Sequence, residues 1–200
     1  MSTGFVMGAP DGKISKERGV IEGVSVTTVG EAKGHGVNLD SEFIATVVEM
    51  GNEKRQGLKA RYGHPNMSST ALGTFLGRFK NFRQDGDQAR ADLFLSNEAK
   101  DTPQGNLYDY IMGMAKNEPD MFGTSIVFTP GREYKRDSKG EKVFTHEDIT
   151  DEGGNLVTRI VYDTSAIEGP TYIECEELHG CDAVDEPAAN EGLFSRFSME

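Results

Sequence analysis

The fold is decided first by residues 74–95, whose sequence is TFLGRFKNFRQDGDQARADLFL. Two strand-like runs, residues 74–82 and 89–95, flank Asp85-Gly86, a pair that tolerates the positive φ angles of a tight turn. Apolar residues alternate along the second run, as they do in a strand with one buried face. The stretch therefore predicts a β-hairpin.

Strand patterns recur on both sides of this hairpin. Alternating and β-branched residues predict strands at six further segments, which are residues 19–29, 58–62, 123–129, 156–162, 171–175 and 180–184.

Two segments have a helical period instead. The first begins after an N-cap at Asp40 or Ser41 and ends near residue 51. The second opens at residues 101–103, where a proline is well placed for a first turn, and ends near residue 117. Many strands with two modest helices predict an α+β domain with a mainly antiparallel, barrel-like core and a few flanking helices.

The length of 200 residues suits one domain. We expect that domain at residues 19–192, after a flexible N-terminal segment at residues 1–18. Residues 130–154 are charged and glycine-rich, so they predict an insertion or an exposed hairpin. Residues 193–200 are weakly patterned and are expected to form a tail or the start of a linker.

The chain is acidic, with 21 Lys+Arg, 33 Asp+Glu and a formal net charge of −12. This balance argues against nucleic acid as a partner, because a nucleic-acid binder needs a basic surface to neutralise phosphates. It argues equally against an anionic membrane surface. The apolar runs are also far shorter than the roughly 18 residues of a membrane helix. We therefore expect neither nucleic acid nor a membrane as partner.

Two residues stand out as candidates for chemistry. His64 ends a predicted strand and is fixed between Gly63 and Pro65, a place where a scaffold can present a functional side chain. Ser125 lies in the strand at residues 123–129, and a serine hydroxyl becomes a nucleophile only when a base such as histidine takes its proton. Spacing alone does not pair the two residues.

A third group would be needed to orient a catalytic imidazole, and His179 and Asp182 both qualify chemically. Because they are three positions apart, they point to opposite faces of an extended strand, so one of them at most can serve. A weaker alternative is a metal hydrolase that uses His35, His64 and nearby carboxylates. The histidine spacings match no metal motif, so we expect neither a metal nor a cofactor.

Several stretches resemble the prohead proteases of tailed phages, which are capsid maturation serine proteases related to the herpesvirus assemblin fold. They are residues 61–68 (RYGHPNMS) with 71–82 (ALGTFLGRFKNF), residues 122–128 (FGTSIVF) and residues 182–190 (DAVDEPAAN). The resemblance spans about residues 19–192 and leaves residues 130–154 unmatched.

This resemblance implies a herpesvirus-protease-like fold with Ser125 as nucleophile and His64 as general base. The viral relatives use a second histidine, which favours His179 as the third member, with Asp182 as its rival. The implied activity is that of an endopeptidase that cleaves scaffold protein, the major capsid protein and itself. It would act in the host cytoplasm, inside the assembling procapsid, and self-association is compatible with that role. The alternative is a non-catalytic β-domain associated with the capsid or scaffold, in which Ser125 and His64 only pack or face solvent.

Overall fold

The computed structural model describes residues 14–64, 71–144, 146–160 and 164–194. These residues form an α+β structure with a mostly antiparallel sheet and two α-helices. The helices are α1 (Ser41–Glu53) and α2 (Leu107–Asn117). The strands are β1 (Ile14–Ser15), β2 (Val20–Thr28), β3 (Gly30–Ala32), β4 (Val37–Leu39), β5 (Leu58–Tyr62), β6 (Phe75–Asp85), β7 (Gln88–Leu95), β8 (Gly123–Arg136), β9 (Lys142–Phe144), β10 (His146–Thr150), β11 (Leu156–Ile160) and β12 (Tyr172–Val184).

The predicted hairpin is confirmed as β6 and β7. Its turn contains Gly86 with φ of +61°, and Asp85 pairs with Gln88 across it. Further along the hairpin, Phe79 pairs with Leu93, and the two side chains are 1% and 2% exposed. The alternation therefore directs one face of the hairpin into the core, as the sequence pattern indicated.

The first helix begins as predicted and the second begins later. The carboxylate of Asp40 caps α1 by accepting hydrogen bonds from the backbone N–H groups of Glu42 (3.1 Å) and Phe43 (3.0 Å). The predicted start of the second helix at residues 101–103 is wrong. Thr102 closes a separate turn by donating to the Gly105 carbonyl, because a threonine hydroxyl competes for nearby backbone groups. Asn106 then caps α2.

Strand β12 lies at the centre of the large sheet. It pairs antiparallel with β8 along one edge, and on the other edge it pairs in parallel with β5 at residues 180–183 and with β4 at Tyr172. The sequence predicted two short strands here, at residues 171–175 and 180–184, whereas the structure has one. The register shifts three times along the pairing with β8, and these bulges interrupt the alternation that sequence reading depends on.

The barrel-like core is not confirmed, because the sheet is not closed. Among the described strands, no backbone ladder joins β2 to β8, and side chains bridge the gap instead. Thr124 of β8 donates to the Ser25 carbonyl of β2 at 2.5 Å. The Asn190 amide donates to the carbonyls of Val26 (3.2 Å) and Thr124 (3.1 Å). We call this gap, with Ser25, Val26, Thr124 and Asn190 around it, the β2–β8 seam.

The charged segment at residues 130–154 contributes strands to two hairpins. Strand β8 runs on to Arg136 and pairs with β9, and β10 pairs with β11 in a separate two-stranded sheet. The other domain boundaries stay predictions. Residues 14 and 15 of the expected flexible N-terminal segment form β1, while residues 1–13 and 195–200 lie outside the described part.

Loss of the hydrogen bonds across the β2–β8 seam should destabilise the folded protein. Asn190 is 2% exposed, and its side-chain oxygen also accepts hydrogen bonds from the hydroxyls of Ser25 and Thr28. We expect Asn190→Ala to lower the free energy of unfolding by about 2–4 kcal/mol, because several buried polar groups lose a partner together. Urea denaturation measures this. The control Asn97→Ala changes an exposed asparagine and should shift the value by less than about 0.5 kcal/mol.

The cap of α1 should make stability depend on pH. Burial raises the pKa of Asp40, but hydrogen bonds from Tyr134 (2.6 Å) and Arg136 (2.5 Å) outweigh it and hold that pKa below its ordinary 3.8. A depressed pKa contributes stability that is present above the unfolded value and is lost as the pH falls through the folded value. Urea unfolding at about pH 6 and about pH 3 should therefore show a larger acid loss for wild type than for Asp40→Asn. Equal losses would contradict this assignment.

Candidate active site

Asp182 is a fully buried carboxylate held by two neighbours. Its side chain is 0% exposed, and Arg61 binds it in a bidentate manner, with Nε 2.8 Å from Oδ1 and Nη2 2.6 Å from Oδ2. Nδ1 of His64 lies 2.8 Å from Oδ2. A buried charge requires such partners, and planar guanidinium–carboxylate pairing is among the strongest of them.

Sheet register explains why these side chains meet. Arg61 of β5 and Asp182 of β12 are parallel-paired neighbours, so their side chains leave the same face of the sheet. Continued alternation would place His64 on the opposite face. Gly63 prevents this, since its φ of +68° turns the chain at the end of β5 while its N–H donates to the Ala183 carbonyl at 2.8 Å. The turn therefore brings the His64 side chain back to the Asp182 carboxylate.

Ser125 lies on the other side of Asp182. It is the antiparallel partner of Asp182 in β8, and directly opposed residues have Cα atoms about 4.5–5.5 Å apart with side chains on one face. Arg61, Asp182 and Ser125 therefore stand in a row across three strands. Ser125 and His64 also line the same cavity, whose volume is about 480 Å³.

The contact with Asp182 assigns the proton on His64. A carboxylate can only accept, so the imidazole donates from Nδ1, and in the neutral form of the ring the lone pair lies on Nε2. The His64 side chain is 42% exposed, so this second nitrogen belongs to a ring that solvent or a ligand can reach. A histidine of this tautomer, oriented by a carboxylate, is suited to take a proton from a hydroxyl.

The two rivals for the third position are now separated by their contacts. His179 does not face His64: its Nε2 lies 2.7 Å from the Thr129 hydroxyl, and its Nδ1 lies 3.8 Å from Glu177. Asp182 is the residue that contacts His64. The structure thus places Asp182, the rival of His179, against His64, while the catalytic role of either residue stays a prediction.

Arg61 was missed as a member of this cluster, although it stands in the quoted motif. It is 121 residues from Asp182 in the chain, and only the parallel register of β5 and β12 brings the two together. No local pattern in the sequence predicts that register. The sequence contains one weak indication of its role, which is that a cationic residue stands three positions before a strand-ending histidine.

The other titratable candidates make no described hydrogen bond to Asp182 or His64. His35 is exposed and lines the same cavity, and in the described residues no three or more His, Cys, Asp or Glu side chains form a group that could hold a metal ion. Cys175 and Cys181 are buried free thiols. Burial raises the pKa of Cys175 to about 11 and that of Cys181 to about 12, so both stay protonated near neutral pH.

The chain was compared with protein-family models, with curated proteins and with solved structures, and nothing matched in any of the three. The resemblance to prohead proteases therefore depends on the quoted motifs alone. Within the described ranges, no helix combines the length and the apolar character needed to cross a bilayer.

The Arg61–Asp182 pair gives a stability prediction that is independent of any activity. We expect Arg61→Met to lower the free energy of unfolding by about 3 kcal/mol, because it leaves a buried carboxylate without its cation. The double variant Arg61→Met with Asp182→Val should recover most of the loss, since an apolar pair needs no counter-charge. Urea denaturation measures both variants.

The matched control is Arg18→Met, which removes an exposed ion pair with Glu22 and should cost less than about 1 kcal/mol. Equal effects of the two single substitutions would contradict the view that Asp182 depends on Arg61.

Proposed function

We propose that the protein is a serine endopeptidase in which Ser125 is the nucleophile, His64 the general base and Asp182 the group that orients His64. The observation that carries the proposal is the 2.8 Å contact between His64 Nδ1 and the buried Asp182 carboxylate, next to a serine that faces the same cavity. The order of the residues along the chain is His, Ser, Asp, and such a triad is recognised by geometry and roles rather than by sequence order.

The chemistry follows from these positions. Ser125 Oγ attacks the scissile carbonyl carbon while Nε2 of His64 takes the hydroxyl proton. His64 then gives this proton to the leaving amine, and the C–N bond breaks to leave an acyl-serine ester. A water molecule attacks the ester, again with His64 as base, and the returned proton restores Ser125. Asp182 keeps Nδ1 protonated throughout these steps.

The ion pair with Arg61 limits how Asp182 can act in the proposed reaction. Its guanidinium neutralises the carboxylate, so the attraction between Asp182 and the imidazolium formed during reaction is weaker than it would be for an unpaired carboxylate. The main contribution of Asp182 is therefore to hold the ring and its tautomer. Such orientation still matters greatly for rate, since catalysis depends on a well-aligned attack.

The resemblance of the quoted motifs to prohead proteases is the basis for the proposed substrates and location. We propose that the substrates are scaffold protein, the major capsid protein and the protease itself, cleaved inside an assembling procapsid in the host cytoplasm. The herpesvirus-protease-like architecture belongs to the same proposal. The mostly antiparallel sheet and two helices are compatible with it.

Two measurements test the proposal. We expect a fluorophosphonate probe to label Ser125 of the full chain, with the site identified by mass spectrometry. On co-expression with scaffold and capsid proteins, we expect processing that Ser125→Ala abolishes and His64→Ala reduces by at least about 100-fold. The matched controls are Ser138→Ala and His179→Ala, which change exposed residues of the same types that do not line the cavity.

Processing that persists in Ser125→Ala would overturn the proposal. Absence of both labelling and processing in wild type would favour the non-catalytic capsid-associated domain instead. Circular dichroism of each variant separates loss of chemistry from loss of fold.

A further inference from the structure

We infer that the cavity beside Ser125 is the subsite for the substrate side chain that precedes the scissile bond, and that it selects an uncharged, apolar side chain. This inference rests on the proposed function and adds the substrate class to it. The cavity is continuous with the reacting groups, since Ser125 and His64 are among its lining residues. Its volume of about 480 Å³ lies within the roughly 300–1,000 Å³ of ligand pockets.

The buried part of the cavity wall is mostly apolar and carries no charge; Thr27 and Thr124 are its buried polar residues. The apolar part is built from five side chains, each at most 9% exposed, that come from β2, β3, β4, β12 and the segment after β12. They are Val26, Ala32, Leu39, Ile173 and Ala189. Burial of an aliphatic or aromatic side chain against such a wall is favourable by about 1.5–3 kcal/mol. The same wall offers no counter-charge to a buried ion.

The charged and titratable lining residues, His64 among them, are exposed to solvent. Glu133 and His35 both line the cavity, and both are exposed. A substrate carboxylate would lose its hydration against the apolar wall and would also meet the like charge of Glu133. A substrate lysine or arginine that filled the cavity would have to bury its positive charge against the apolar wall, away from Glu133. Acidic side chains are therefore rejected most strongly.

The edge of β8 supplies a place for the substrate backbone. This strand pairs with β12 along one edge, while on the other edge the described residues pair with β9 only at Tyr134–Arg136. Residues 125–128 and Pro130 of β8 all line the cavity. An extended substrate chain can therefore lie along β8, with alternate side chains directed towards the protein. One of these side chains then enters the cavity next to Ser125.

Cleavage of a proteome-derived peptide library by the full chain, read by mass spectrometry, tests the inference. For wild type, we expect Leu, Met or Phe before the cleaved bond at least about tenfold more often than Asp or Glu. Val37 and Ala188 line the cavity from different segments and are partly exposed, so they can be enlarged. Val37→Phe and Ala188→Leu should each shift the preference about tenfold towards Ala.

The matched control is Val157→Phe, which makes the same change on β11, in the separate two-stranded sheet, and should leave the preference unchanged. Labelling of Ser125 by a fluorophosphonate separates the two levels of failure. If the serine is labelled but acidic or basic side chains are preferred, or both enlarged variants keep the wild-type preference, the subsite is wrong and the proposed function stands. If wild type is neither labelled nor active, the proposed function fails and this inference fails with it.

Discussion

The structure depends most on one buried carboxylate. Asp182 lies in the central strand of the sheet with no exposure to solvent, so its charge must be balanced from within the protein. Arg61 supplies that balance from the parallel neighbour, and His64 uses the remaining capacity of one oxygen. The register of β5 on β12, the turn at Gly63 and the orientation of the imidazole are therefore parts of one electrostatic arrangement. A change in any of them would leave a charge or a donor unpaired.

Local patterns in the sequence predicted the local elements well. The Asp85-Gly86 turn and the alternating strands that flank it specify a hairpin without help from the rest of the chain, and the Asp40 cap specifies the start of α1. The second helix was misplaced because Thr102 and Pro103 are as suitable for a turn as for a helix start. Strand β12 was divided in two because bulges disturb its period.

The sequence named residues of the candidate site but did not show which of them meet, and the reason is physical. His64, Ser125 and Asp182 could be named because their residue types and local settings suit chemistry. The resemblance favoured His179 over Asp182, but which of the two meets His64 depends on which strand packs beside β12 and in which direction. Arg61 was missed for the same reason, since its pairing with Asp182 spans 121 residues. Both contacts depend on the pairing of strands that are far apart in the chain, so no short stretch of sequence predicts them.

The open sheet has a consequence for the timing of folding during synthesis. The gap between β2 and β8 is bridged through Asn190, and the backbone N–H of Ser25 donates to the Leu193 carbonyl at 2.8 Å. Ala188 and Ala189 of the same segment form part of the cavity wall. A ribosome that has made only the first 180 residues has produced His64 and Ser125 but neither the carboxylate that orients the histidine nor the segment that holds the two strands together. The gap between the two strands therefore stays unbridged, and the cavity wall incomplete, until the final described segment has docked.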